Sequence, residues 1–412
     1  MPQVKPEIET FAKIRVVGVG GGGGAAVDRM VKKGIRGVEF IAMNTDVQAL
    51  HHNSAATKLH IGKTITRGLG AGMNPDVGKR SAEETQNEIR DMLKDTDMVF
   101  ITCGLGGGTG SGASPLIAQV AREMDILTVA VVTKPFTFEG PQRKEIADKA
   151  HRELITNVDT VITIPNDRVL QIIDKKTSLL ESFKIIDDIL RQGVQGISEL
   201  ITVPGLINVD FADVKTIMSD TGSALMGIGV ASGENRASEA AKSAISSPLL
   251  EVSIDGARGI LFTITGGTNL GMQEVAEAAK VITSSTDENA KVIFGAVIDE
   301  EMGEDVRITV IATGFDDRIR EQIKPASDRG EKLGKKPIFK SSLFNKKITD
   351  FGVEDIDPDE EVPERRSFTK KTVSSPVKNN VGGEKKKDND DSDSSDEEDL
   401  EIPAFIRRKM GL

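Results

Sequence analysis

The chain has no tryptophan and no tyrosine, and cysteine occurs once, at Cys103. A lone cysteine excludes an intramolecular disulfide and is compatible with a reducing compartment. Any stacking on a nucleobase must fall to Phe, His or Arg. Positive charge is in short supply: 53 Lys and Arg stand against 64 Asp and Glu, for a net charge of -11. That balance argues against a general nucleic-acid binder, whose affinity would rest on neutralising phosphates. No apolar run approaches a membrane span, and Met1-Pro-Gln-Val-Lys-Pro-Glu7 has no apolar core of a signal peptide. His51, His52, His60 and His151 show no ligand spacing with the cysteine, so no residue is assigned as a direct metal ligand. The expectation is a soluble, cytoplasmic protein that neither inserts into a membrane nor binds nucleic acid.

Glycine, in contrast, is concentrated. Five of the seven residues from Gly106 to Gly112 are glycine. Before them runs the apolar stretch 97–102, read as a buried strand; after them runs 113–124, apolar and helix-like. A glycine loop between strand and helix aims backbone N–H groups at one point, and the helix N-terminus adds positive partial charge. A side chain there would block the approach of an anion. The pattern predicts a phosphate cradle; a flexible turn is the plainer alternative. A second run, Gly18 to Gly24, follows strand 14–18 and precedes helix 25–33. With Gly18, Gly20 and Gly23 it meets the G-x-G-x-x-G spacing, and Asp46 lies near the end of the next strand, 38–43. This is a fair dinucleotide fingerprint. Gly68-Leu-Gly-Ala-Gly72 is a third such loop. Gly62-Lys-Thr64 and Gly78-Lys79 end like P-loops, but Thr57 and Met73 occupy the first-glycine places, so neither is one.

Further strands are expected at 126–132 and 160–164, with helices at 81–94 and 139–158. Alternation of this kind specifies a doubly wound, mostly parallel α/β sheet, which binds ligands at the carboxyl ends of its strands. All three loops sit at that end, so they are expected to converge on one ligand. A long helix is expected at 179–201 despite Gly193 and Gly196. Strands at 227–231, 259–265, 292–298 and 306–313, with helices at 236–246 and 272–284, suggest a smaller α+β domain. The expected divisions are an extension at 1–12, a nucleotide-binding domain at 13–178, a central helix at 179–203, a loop and following helix at 204–222, an α+β domain at 223–316, a linker at 317–399 and a terminal peptide at 400–412. The linker is rich in Lys, Asp, Glu and Ser and cannot bury enough apolar surface to fold, so it is expected to be disordered. Apolar residues return only at Leu400-Glu-Ile-Pro-Ala-Phe-Ile-Arg407, the pattern of a docking motif on a tether; a frayed end is the plainer reading.

Gly106-Gly-Gly-Thr-Gly-Ser-Gly112 matches the signature loop of the tubulin/FtsZ family, and the resemblance runs from residue 13 to about 316. Gly18 to Gly24 resembles that family's first phosphate loop, and Thr66 to Gly72 its third. Asn208-Val-Asp-Phe-Ala-Asp213 resembles the synergy loop that completes the active site of a neighbouring subunit. Glu401-Ile-Pro-Ala-Phe-Ile-Arg407 resembles the C-terminal peptide of the family's bacterial division branch, which tubulins lack. The resemblance implies a GTPase that polymerises head to tail into filaments of the cytokinetic ring at mid-cell, using GTP and Mg²⁺.

Carried onto this chain, it implies that Gly21, Gly22, Gly23, Gly24, Ala25, Ala71, Gly72, Gly108, Thr109 and Gly110 surround the phosphates. Glu139 and Arg143 would meet the ribose region, and Asn166, Phe183 and Asp187 the guanine. Asn208, Asp210 and Asp213 would act on the next subunit's nucleotide. Ile402, Pro403, Ala404, Phe405, Ile406 and Arg407 would dock membrane-tethering division proteins such as FtsA, with other division regulators as further partners. The family commonly has Asn where this chain has Ala25, so a side-chain amide near the nucleotide is missing.

Glu139/Arg143 and Phe183/Asp187 are each four apart, a same-face spacing on a helix. A carboxylate at 187 can accept from guanine N1–H and the 2-amino group, whereas adenine has no N1–H to offer. Taken alone, the first pair also fits a surface ion pair, the second an ordinary helix face, and Asn-x-Asp-x-x-Asp a solvated turn. Cys103 reads as a small buried side chain, with no cation adjacent in sequence. Two rival functions stay open: a Rossmann-type NAD- or FAD-dependent enzyme, and a nucleotide-sensing scaffold without significant hydrolysis.

Overall fold

The structure is a computed structural model that describes residues 12–315, apart from 172, 174, 175, 204, 208, 251, 252, 255 and 288. The expected N-terminal extension (but for residue 12), Asn208, the charged linker and the docking peptide lie outside the described residues.

β1 (Ile14–Val19) feeds α1 (Gly20–Lys32), and β2 (Val38–Asn44) follows. The apolar stretch of β1 has the continuous burial of a central parallel strand. Then come α2 (Val47–His52), β3 (Thr57–His60) and α3 (Lys63–Thr66). These three are short, and the sequence did not announce them. The helix expected at 81–94 is two helices, α4 (Pro75–Glu84) and α5 (Gln86–Met92). The first begins earlier because Asn74 caps it, accepting from Asp76 N at 3.0 Å, with Pro75 in the first turn. They part at buried Thr85, which leaves helical geometry (φ -109, ψ 18) while its hydroxyl donates back to Ser81 O at 2.9 Å.

β4 (Met98–Gly104), α6 (Gly108–Glu123) and β5 (Leu127–Lys134) follow. α7 (Pro141–Ile155) is shorter at both ends than expected. Gly140, at φ +99, separates it from a 3-10 turn, Thr137–Glu139, so Glu139 is not on the helix that carries Arg143. β6 (Thr160–Pro165) and the short α8 (Asn166–Val169) lead to α9 (Leu179–Thr202), which is unbroken. Its two internal glycines mark close packing rather than a break. A Cβ on Gly193 would meet Met226 Sδ at 2.9 Å, and one on Gly196 would touch Thr309 at 3.4 Å.

Beyond α9 come α10 (Phe211–Met218), β7 (Gly222–Ala231), α11 (Arg236–Ile245), β8 (Gly259–Gly266), α12 (Met272–Thr283), β9 (Lys291–Ile298) and β10 (Val306–Thr313).

The strand order is β3-β2-β1-β4-β5-β6-β7-β10-β8-β9. All pairings from β3 to β7 are parallel; β10 lies antiparallel to both β7 and β8, and β8 pairs β9 in parallel. Two halves were expected to meet through the long helix. They are also joined through the sheet, by a short parallel register from Thr160↔Gly222 to Ile162↔Ala224.

Alternate residues of the central strands face opposite cores, which makes the sheet doubly wound. Val16, Phe100 and Val129 pack with Val27 and Met30 of α1 and Ile186 and Leu190 of α9. Val17, Ile101 and Ala130 pack with Ala113 and Ile117 of α6 and Leu154 of α7. A third core joins α11 and α12 to β8 and β10. No helix among the described residues is long and apolar enough to cross a membrane.

Candidate functional site

In this strand order β1 lies between β2 and β4, the switch point at which neighbouring connections depart to opposite faces and leave a crevice. α1 and α6 both begin there, and neither has a side-chain cap on its first-turn N–H groups. Both helices start inside their glycine runs, so the glycines form first turns and not only loops. The two runs touch: a Cβ on Gly20, which sits at φ +71, would meet Gly110 N at 2.9 Å. Four orphan donors at each helix start, with the helix dipoles behind them, make an anion site.

The third glycine loop is held against the end of β2. Gly70 N and Thr66 Oγ1 donate to Thr45 O at 3.3 and 3.2 Å, and Thr45 Oγ1 lies 2.6 Å from Thr109 Oγ1.

These elements enclose a cavity of about 580 Å³. The structure brings twelve of the residues singled out above to its wall: Gly21, Gly22, Ala71, Gly72, Gly108, Thr109, Gly110, Glu139, Arg143, Asn166, Phe183 and Asp187. Gly24 and Ala25 line an adjoining cavity of about 220 Å³. There Asn53 donates from Nδ2 to Gly24 O at 2.7 Å, so an amide from another segment braces the turn that carries Ala25. Gly23 lines neither cavity. It is buried against Thr102 O, where no side chain fits.

At the end away from the glycine loops, Phe183 is 42% exposed, and its ring meets that of Phe136 edge-on at 5.8 Å. The Asn166 side chain is buried with its Oδ1 lacking a hydrogen-bond partner, a free acceptor beside the cavity. Asp187 forms an ion pair with Arg29 of α1 at 3.1 Å. Burial raises its carboxyl to about pKa 6, and Arg29 offsets only part of that. Glu139 and Arg143 pair at 2.5 Å although they belong to different elements, and Glu139 Oε1 also accepts from Phe136 N at 2.9 Å.

Asp210 and Asp213 do not line the cavity. Both are exposed at the start of α10, where Asp210 Oδ1 accepts from Asp213 N at 2.7 Å and so caps the helix. Asn208 and the docking residues 402–407 cannot be placed with them, being outside the described residues.

Asp46, the acid of the dinucleotide fingerprint, is at the cavity edge but is engaged as the cap of α2, accepting from Gln48 N and Ala49 N at 2.8 and 3.3 Å. The P-loop-like Gly62-Lys-Thr64 starts α3 and is tied to Glu84, away from the cavity. Cys103 is fully buried, its thiol raised by that burial to about pKa 11. The sequence reading missed Arg29, as well as the lining residues Asn44, Thr133, Ile186 and Leu190. The last two could have been found: they flank Phe183 and Asp187 at spacings of three on one helix face. Nothing in the sequence couples Arg29 to Asp187.

Comparison with known proteins matches residues 13–174 to the Tubulin/FtsZ family GTPase domain and residues 222–316 to the FtsZ family C-terminal domain. Among solved structures, an FtsZ dimer from M. jannaschii, described as empty, is 46% identical with a TM-score of 0.72, covering 74% of this chain and 89% of that one. A tryptophan-to-tyrosine mutant of M. jannaschii FtsZ gives the same identity and score, covering 74% of this chain and 92% of that one. CetZ2 from Haloferax volcanii, in a GTPgS-bound protofilament, shares the fold at 20% identity and a TM-score of 0.64, covering 76% of this chain and 96% of that one. With both domain models in order and close to half the residues shared over most of an FtsZ chain, the protein belongs to the tubulin/FtsZ family and carries its GTPase domain.

Proposed function

We propose that the chain binds GTP in the cavity between the three glycine loops and α9, and hydrolyses it within head-to-tail filaments of the division ring at mid-cell. The observation that carries this is a separation. The N-termini of α1 and α6 and the carboxyl of Asp187 share one cavity, while the exposed acids Asp210 and Asp213 stand outside it.

Phosphoryl transfer needs positioning and charge neutralisation more than covalent chemistry. A pocket with helix N-termini but no free acid near the phosphates binds well and turns over slowly. Docking of a second copy, bringing its Asp210, Asp213 and Asn208, supplies what is missing. Such a contact is heterologous and does not close, so it propagates as a filament.

The backbone donors of Gly21, Gly22, Gly108, Thr109 and Gly110 hold phosphate oxygens in this reading. Gly24, Ala25, Ala71 and Gly72 shape the walls, Gly23 lets the first turn of α1 pack on Thr102 O behind them, Glu139 and Arg143 meet the ribose, and Phe183, Asn166 and Asp187 read the base. No group of three or more His, Cys, Asp or Glu that could hold a metal occurs among the described residues. Mg²⁺ would ride on the nucleotide's own phosphates and water, where it needs at most one or two carboxylates from the protein. Residues 402–407 dock a membrane-tethering division protein, FtsA or one of like role.

Sedimentation with GTP, GDP, ATP or NAD, with phosphate release followed against protein concentration, tests the reading. GTP-specific pelleting with hydrolysis rising above a critical concentration is expected. Pelleting without phosphate release would replace it with a scaffold, and a response to NAD alone with a dinucleotide enzyme. Against the last stands Asp46, whose carboxylate is spent on capping α2.

A further inference from the structure

Asp187 does not face the cavity alone. Its Oδ2 lies 3.1 Å from Arg29 Nη2, and the two side chains are 15% and 28% exposed. The surrounding charges are committed elsewhere. Lys33, at the end of α1, acts on Asp188; Asp188 is bonded by Arg191 and Gln192 of its own helix. Across the cavity Arg143 is paired with Glu139, and at its phosphate end Asp46 caps α2. Lys184, one turn back on α9, is exposed. Among the described residues, Arg29 is the one ionic partner of Asp187.

The protonation state of that carboxyl decides which base it can read. Ionised, it is an acceptor only. It then matches the two adjacent donors of guanine, N1–H and the 2-amino group. Protonated, it presents one donor beside one acceptor, which is what adenine requires with its N1 acceptor beside its 6-amino donor. A buried carboxyl without a cation drifts toward the protonated form.

We infer that Arg29 is a specificity-determining residue of the base site: by pairing with Asp187 it keeps the carboxyl ionised and oriented, so that the pocket takes guanine nucleotides and rejects adenine ones. This rests on the reading of Asp187 as the guanine contact. A guanidinium presents fixed N–H donors to a carboxylate, which suits Arg29 to the task. It acts through Asp187 and is a positioning residue, without touching the reacting phosphates. Its helix begins in the Gly18–Gly24 run, so one rigid element sets both the phosphate end and the charge at the base end.

The test is titration of the nucleotide-free full chain with fluorescent GTP and ATP between about pH 5.5 and 8. In the unmodified protein GTP affinity should hold at neutral pH and fall about tenfold per pH unit below the Asp187 pKa, while ATP stays weak. In Arg29→Met, which keeps an apolar stem, the break in the GTP profile should move up by about 1 pH unit or more, and ATP affinity should rise as the pH falls. Arg29→Lys should keep the break close to its original place.

An unmoved break, or an equal loss of both nucleotides at every pH, would overturn the inference and leave Arg29 as a brace between α1 and α9. Asp187→Asn separates the two levels of the argument. If it preserves both the pH profile and the preference for GTP, the base reading itself fails; if it abolishes both while Arg29→Met changes neither, only the role of Arg29 fails.

Discussion

At the scale of single residues, two buried groups that line no part of the nucleotide cavity respond to acid and to thiol reagents. His151 of α7 is 2% exposed; its Nε2 lies 2.8 Å from Thr163 Oγ1, and its Nδ1 has no partner. Burial, aided by Lys134 and Arg152, holds its pKa down at about 3. In the unfolded chain the ring takes a proton near its ordinary value of 6.5. Between those two values the unfolded state binds the extra proton, so stability is intact above pH 6.5 and is lost as the pH falls through this window. The slope is about 1.4 kcal/mol per pH unit. His151→Gln cannot titrate. Urea midpoints at pH 8 and pH 5 should show that the variant loses about 2 kcal/mol less than the parent over that interval, the other carboxylates cancelling in the difference; equal losses would mean the ring is solvated and protonates in place.

Cys103 behaves in the opposite sense toward reagents. With its thiol buried and raised to about pKa 11, it should ignore a thiol reagent in the native protein and react in urea. Labelling that is as fast in buffer as in urea would show that β4 opens readily beneath the Gly106–Gly112 loop.

At the scale of elements, the glycines divide into those that seat helices and those that make room for a ligand. A Cβ on Gly112 of α6 would overlap Pro75 O and stand 2.7 Å from Lys79 N, so α4 lies directly on this glycine face. Gly107, the N-cap of α6, has ordinary extended dihedrals (φ -90, ψ 172), and a Cβ there meets nothing within 4 Å. Gly112→Ala should therefore cost about 3 kcal/mol or more and weaken nucleotide only through the damaged fold. Gly107→Ala should leave stability within about 0.5 kcal/mol yet reduce nucleotide affinity at least about tenfold, because its methyl enters the phosphate end. Denaturation and nucleotide titration on both variants check the crossing pattern.

The same distinction explains what the sequence made legible. Glycine runs between apolar strands stand out in a sequence, and β1, α1, β2, β4, α6, β5, α7 and β6 followed from the alternation around them, whereas the short α2, β3 and α3 did not. Phe183 and Asp187 were legible through the family resemblance, since their spacing of four alone fits any ordinary helix face. The division between α4 and α5 was not, since no Gly or Pro marks it: the break is at Thr85, whose N–H turns to Ala82 O and whose hydroxyl bonds Ser81 O. The β6–β7 register joins segments some sixty residues apart through three pairs, and the Arg29–Asp187 pair spans still more chain. Contacts of that kind are set by the assembled fold, and no local pattern announces them.

At the scale of the whole molecule, the placing of Asp213 gives an outcome that a self-sufficient enzyme cannot mimic. Asp213→Ala removes an exposed side chain whose backbone N–H, not its carboxylate, makes the capping bond to Asp210, so α10 should persist. The variant should bind GTP normally and lose nearly all turnover; a matching loss of affinity would place Asp213 in its own chain's pocket. Asp210 is less clean, because its replacement by alanine also removes a helix cap, costing about 1 kcal/mol. The decisive form uses two defective chains together. Gly107→Ala, impaired in holding nucleotide, still presents Asp210 and Asp213. Asp213→Ala holds nucleotide but presents no acid at 213. If hydrolysis is completed between subunits, mixing them should restore phosphate release above the sum of the separate rates, most strongly near equal proportions where mixed contacts are most frequent. Co-sedimentation of the two chains verifies that they share filaments. Shared filaments with no gain in turnover would mean that each chain hydrolyses its nucleotide with its own residues, and that assembly serves a purpose other than completing the site.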